Sequence, residues 1–213
     1  MNPQKEATPD EFLDYAGFRP RFLASLVDGL VLLVLACPGW IFSRVAAASS
    51  VRLLAVYALG VFLPLVYEVF FHASWGQTIG KRVTQIKVLT RNFRPIGWTK
   101  AIARSSVSIL FGVLAIVLYT LIWGTISSNT LSHLTIAEAL KLKPPMDSVP
   151  QSYLFLWATI RICNNFWFWS EVIVMLTNTK KRALHDFIAG TVVIETVEHR
   201  SGAPEDETTG QRG

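Results

Sequence analysis

From Trp75 to Arg104 the chain carries Lys81, Arg82, Lys87, Arg91, Arg94, Lys100 and Arg104, with no Asp or Glu among them. Apolar stretches long enough to cross a bilayer flank this segment on both sides. A block of Lys and Arg between two spans sets the side of the membrane on which that loop sits, because cytoplasmic loops accumulate positive charge. The segment therefore reads as cytoplasmic, and it orients everything else. It also outweighs the whole formal charge of +5 over 213 residues. Positive charge gathered in one loop is a topological signal, so nucleic-acid binding is not expected. The chain is 51% hydrophobic and 16% charged, where a soluble domain carries about a quarter charged residues. Such a composition suits a chain embedded in lipid.

Hydropathy places spans at about residues 22–42, 53–71, 107–126 and 153–176, each near the ~20 residues that a ~30 Å hydrocarbon core requires. With the basic loop inside, both termini are cytoplasmic. Lys180, Lys181 and Arg182 after the fourth span agree, while Arg44 and Arg52 in the first outer loop oppose weakly. The expected fold is an all-α membrane protein, a four-transmembrane-helix bundle. Residues 1–20 read as a cytoplasmic N-terminal segment, too polar for a cleavable signal peptide. Residues 21–197 form the membrane domain, and 198–213, rich in Gly, Ser, Pro and acidic residues, a disordered tail. The β-branched runs at 82–90 and 191–197 are expected to pair as a small cytoplasmic β element, each covering the other's edge. In the second outer loop, Leu134, Ala137 and Leu140 at helical spacing, with Thr135 and Glu138 as a capping box before Pro144, predict a surface helix over 132–143.

Charged residues inside the spans carry the functional signal. Asp28 lies in the first, Glu68 near the inner end of the second, and Arg161, Asn164, Asn165 and Glu171 in the fourth. An ionisable group at the centre of a span costs about 2.5–3.5 kcal/mol on insertion scales, so it faces a partner or a water cavity. At ~1.5 Å per residue, the three carboxylates fall at a similar depth. Asn164 and Glu171 share a helix face. The functional expectation is a polar cavity lined by Asp28, Glu68, Arg161, Asn164 and Glu171 that binds and releases a cation or proton. The structural alternative pairs Arg21 and Arg104 with Asp28 and Glu68, so that these groups only hold helices in register. Pro64 and the Cys37-Pro-Gly39 break allow the first two helices to bend.

Other candidates read as structural. Cys37 and Cys163 have no metal-ligand spacing and fit as small apolar core residues. Trp40, Trp75, Trp98 and Trp123 fit interfacial anchors, and Trp167 and Trp169 fit packing. The four histidines never fall at metal-ligand spacing, and His185-Asp186 has no neighbouring nucleophile. The segment Gly76–Lys81 lacks the full phosphate-loop pattern, since Arg82 stands where a hydroxyl is needed. No enzyme activity, metal or cofactor is expected.

Three ordered motifs resemble a known family. Tyr15-Ala-Gly-Phe-Arg-Pro-Arg21 with Ala24 and Asp28 is similar to the opening of the RDD family, which is named for an arginine and two aspartates. Gly76-x-Thr78-x-Gly80-Lys81-Arg82 followed by Ile86-Lys-Val88 resembles its cytoplasmic loop. Leu184-His-Asp186-x-x-Ala189-Gly190-Thr191 resembles its C-terminal motif. By this resemblance Arg21, Asp28, Gly80, Lys81, Asp186 and Gly190 are the family's positions, and Arg19 departs from the aromatic residue common there. The resemblance covers about residues 15–195 and implies a bacterial inner-membrane protein with a suspected transport role and no named substrate. Two function classes follow: a small-cation or solute transporter, which four short spans would form as a homo-oligomer, or a non-transporting adaptor or assembly protein. The adaptor would dock a protein partner or anionic lipid through the basic loop.

Overall fold

Four long helices dominate the described residues (14–46, 49–125, 135–136 and 149–196) of the computed structural model. They are α1 (Phe18–Val45), α2 (Ser50–Trp75), α4 (Trp98–Gly124) and α5 (Gln151–Thr177). Between α2 and α4 lie a single helical turn, α3 (Ile79–Val83), and strand β1 (Ile86–Thr90). After α5 come α6 (Leu184–Ala189) and strand β2 (Thr191–Glu195). Helices α1, α2 and α4 are long and apolar enough to cross a membrane, over Phe18–Phe42, Ser50–Trp75 and Trp98–Gly124. The fourth long helix, α5, holds Arg161, Asn164, Asn165 and Glu171 and is less apolar.

Their outer faces are apolar. Leu33, Val34, Val51, Phe155 and Phe166 are all more than 60% exposed, and a continuous apolar surface of that kind is unstable in water. In lipid it is the favourable face. Buried side chains gather instead in two clusters, towards opposite ends of the long helices. At one end Leu53, Leu118, Ile122 and Trp123 pack with Ile136 and Val149, beside the stacked rings of Tyr57 and Tyr119. At the other, Ala16, Ala24, Ile86, Val88, Ile96, Ala101 and Val193 form a second core.

The predicted strand pairing is present. β1 and β2 run antiparallel, with Ile86 opposite Glu195 and Thr90 opposite Thr191. The N-terminal segment adds an edge that hydropathy could not show. Ala16 donates its N–H to the Val193 carbonyl at 2.9 Å, and Glu195 donates to the Asp14 carbonyl at 2.9 Å. β2 is thereby covered on both sides.

Several expectations are corrected. α4 starts at Trp98 rather than near residue 107, because Arg104 is neutralised inside the protein and need not lie in a loop. α1 continues through Pro38 to Val45, so Cys37-Pro-Gly39 does not break it. Cys37 and Cys163 are exposed on the outer surface rather than in a core. Trp123 is buried towards one end of the long helices rather than exposed as an anchor, whereas Trp169 is exposed rather than packed. The predicted surface helix at 132–143 falls outside the described residues except for Thr135 and Ile136, of which Ile136 donates to the Ala46 carbonyl at 3.0 Å. The tail at 198–213 and residues 1–13 also lie outside them.

Candidate functional site

At the end of the long helices that carries the sheet, two aspartates organise the chain. Asp186 is fully buried at the third position of α6, where its carboxylate accepts the Ala183 N–H at 3.0 Å and so caps its own helix. The same carboxylate accepts from Arg21 at 2.8 Å, from Arg104, and from the Thr191 hydroxyl at 3.1 Å. Arg21 reaches further, donating to the carbonyls of Ala16 at 3.0 Å and Lys181 at 2.7 Å. Arg182 completes the cluster through the Thr191 and Asp186 carbonyls at 3.0 and 2.9 Å. Four elements, α1, α4, α6 and β2, thus converge on one carboxylate. Burial alone would raise the Asp186 pKa, but Arg104, His185 and Arg21 together hold it well below the ordinary value of 3.8.

Asp28 does a different job. From the middle of α1 it accepts from the Tyr67 hydroxyl at 2.6 Å, the Thr78 hydroxyl at 2.6 Å and the Gly80 N–H at 2.7 Å. It therefore caps α3 from outside, together with Thr78, whose hydroxyl accepts the Lys81 N–H at 3.3 Å. This explains the glycine at position 80. A Cβ there would stand 2.0 Å from the Ala24 carbonyl oxygen, so α3 could not lie against α1. The structural alternative, in which Arg21 and Arg104 pair with Asp28 and Glu68, is not what forms: both guanidiniums go to Asp186.

Two cavities lie beside these clusters. One, of about 250 Å³, is lined by Ser25, Asp28, Pro64, Tyr67, Glu68, Thr78 and Lys81 among others. The other, of about 240 Å³, is lined by Glu68, Arg104, Ser108, Asn164, Trp167, Glu171 and His185 among others. Glu68 faces both. Four of the predicted site residues thus line the two cavities: Asp28 one, Asn164 and Glu171 the other, and Glu68 both. Arg161 does not: it is exposed, with its guanidinium 5.2 Å from the centre of the Trp157 ring. Depth along the helix was readable, but the direction in which a long side chain turns was not.

The residues that sequence reasoning missed are the partners. The His185 Nδ1 lies 2.6 Å from Glu171. His72, fully buried one turn after Glu68, has Nδ1 3.7 Å from that carboxylate and Nε2 2.5 Å from the Lys81 ammonium nitrogen. Burial of that ammonium, then the charge of Arg104, brings the Lys81 pKa down to about 7. The spacing Glu68–His72 was the available signal, since residues four apart share a helix face. Among the described residues, no group of three or more His, Cys, Asp or Glu could hold a metal ion.

Apolar helices with bare lipid-compatible faces, pinned at one end by buried ion pairs, define a membrane protein. The particular family follows from the sequence, since the RDD family model matches residues 15–190. The chain belongs to the RDD family, and the matched range includes Arg21, Asp28 and Asp186, the residues that resemble the arginine and two aspartates of its name. No curated protein and no solved structure matches the chain.

Proposed function

We propose that the chain is a non-enzymatic, multi-pass protein of the bacterial inner membrane that moves a small cation in exchange for protons. In this reading α5 is a fourth span and both termini are cytoplasmic. The exposed Phe155, Ile162, Phe166 and Leu176 on α5 support a lipid-facing helix, and the basic segment between α2 and α4 supports the orientation.

One observation carries the transport reading: Glu68 stands between two cavities and beside a proton-sharing pair. At 2.5 Å, Lys81 and His72 cannot both point N–H groups at each other, so one proton lies between their nitrogens. A cation arriving at Glu68 raises the local positive charge and favours release of that proton. Release of the cation favours its return. The pair and Glu68 together are the elements of an exchange site.

The test is purified protein in liposomes loaded with a pH-sensitive dye and challenged with a sodium or potassium gradient. Proton movement should exceed that of empty liposomes and vanish in Glu68→Gln. Flux no higher than in empty liposomes would rule the reading out. A membrane-adaptor role is the second reading, favoured by the basic groove described next.

A further inference from the structure

A third cavity lies away from Glu68. It is about 500 Å³, within the range of small-molecule sites, and its walls are Thr90, Arg91, Asn92, Arg94, Pro95, Lys100 and Gly190. Three of these are cations and none is acidic. The groove is rigidly framed. Thr90 donates its N–H to the Arg94 carbonyl at 2.8 Å, while its hydroxyl accepts the Arg94 N–H at 3.0 Å. Phe93 sits in the left-handed region at φ 56° to close this turn. The Arg91 N–H then ties the turn to the Gly190 carbonyl at 3.2 Å, the residue that follows α6 and its buried Asp186. Arg91 and Arg94 are consequently presented by a hydrogen-bonded turn tied to the residue after α6.

Position adds the second half of the case. Lys100 lies in the first turn of α4, a helix apolar enough to cross a membrane, and Trp98 before it is exposed. Aromatic residues at such a point sit at headgroup level. With α4 crossing a bilayer from Trp98, the cationic groove would lie beside the level of the lipid phosphates. Arginine forks recognise phosphate in a bidentate way, lysine adds a point charge, and Asn92 and Thr90 bring polar side chains to the wall.

We propose that this groove binds a phosphate-bearing group, either the headgroup phosphate of an anionic lipid or a soluble phosphate. Such binding does not depend on cation transport at Glu68, and the flux assay cannot decide it.

Full-length protein is reconstituted in nanodiscs of phosphatidylcholine with or without phosphatidic acid, and retained lipid is counted by native mass spectrometry. In parallel, inorganic phosphate and glycerol phosphate are titrated into protein held in an uncharged detergent. Removing one cation should weaken binding about fivefold, and Arg94→Ala with Lys100→Ala about thirtyfold. Asn92→Asp, which places a carboxylate in the wall, should weaken it without removing a cation. The matched control is Arg82→Ala with Lys87→Ala, equal in charge but outside the groove, and it should stay within about twofold. Retention of phosphatidic acid alone assigns a lipid ligand, and binding of the small phosphates alone assigns a soluble one. If neither binds, or if the control pair loses as much as the groove pair, general surface charge is the whole effect and the site does not exist.

Discussion

Asp186→Asn removes the anion from a cluster in which the side chains of Arg21, Arg104 and Asp186 are 12%, 3% and 0% exposed. The asparagine has nearly the same shape, so packing is kept and the loss is electrostatic. Two guanidiniums then remain enclosed without their counter-charge. Breaking a buried ion pair in this way costs about 3–5 kcal/mol, a large share of the roughly 5–15 kcal/mol that holds a folded domain together. For a chain of this size about 2–4 °C accompanies each kcal/mol, which gives a fall of roughly 6–20 °C. An ordinary interhelical polar contact is worth only ~0.6 kcal/mol and would move the midpoint by a degree or two. Thermal unfolding in detergent, followed through the seven tryptophans, separates these cases. Adding Arg104→Gln to Asp186→Asn should recover part of the loss, because one of the two orphaned cations is gone. A fall below about 2 °C, or no recovery in the double variant, would refute the central role of Asp186. Acid should act on the wild type in the same direction. The folded pKa of Asp186 is depressed, so its contribution is present above the ordinary value of 3.8 and is lost as pH falls through the lower folded value.

Gly80→Ala should abolish folded protein in the membrane or cost at least about 3 kcal/mol, since the added Cβ meets backbone rather than a movable side chain; a variant that purifies and melts like the wild type would show that α3 can lift from α1 at no cost. Lys81 has its folded pKa lowered from 10.5 to about 7, so the unfolded chain binds the extra proton between those values and stability should rise with pH across that window. Lys81→Met should flatten this rise, which unfolding midpoints measured at intervals from pH 7 to pH 10.5 will show.

The helices were legible because lipid demands long apolar runs, and two β-branched runs gave the sheet, although the start of the first is taken up by α3 and the strand begins only at Ile86. Part of the ion-pair cluster was legible, since shared depth at one boundary puts Arg21 near Asp28 or Asp186, and Arg21 does pair with Asp186. Arg21 and Asp186 are 165 residues apart, and no periodicity links them; their relation is set by α1 entering beside the sheet that α6 introduces. Arg104 was legible as an ion-pairing residue, but its partner Asp186 was not. A charge at the edge of an apolar run looks like a loop residue until its buried partner is known, which also displaced the start of α4. Asp28 was correctly placed inside α1, but its partners could not be read. Tyr67 lies on another helix, and Thr78 and Gly80 belong to a single helical turn that local propensity would not stabilise alone.

Depth along the helices suggested that Asp28, Glu68 and Glu171 would crowd and repel one another. The structure resolves that crowding by giving each carboxylate a different environment. Asp28 is occupied by three donors, two hydroxyls and an N–H, and so acts as a cap. Glu171 is held against His185. Glu68 keeps a side chain 40% exposed, with His72 beyond hydrogen-bond distance at 3.7 Å. A carboxylate already satisfied by fixed donors gains little from a cation, whereas one facing two cavities of about 240 and 250 Å³ gains a great deal. The same arithmetic orders the amide variants in the proposed flux assay. Asp28→Asn should lower the yield of folded protein, because an amide cannot accept from all three donors as a carboxylate does. Glu68→Gln should leave yield intact and remove transport. If instead Glu68→Gln also failed to fold, Glu68 would belong with Asp28 and Asp186 to the framework, and the cavities would be gaps between helices rather than a path.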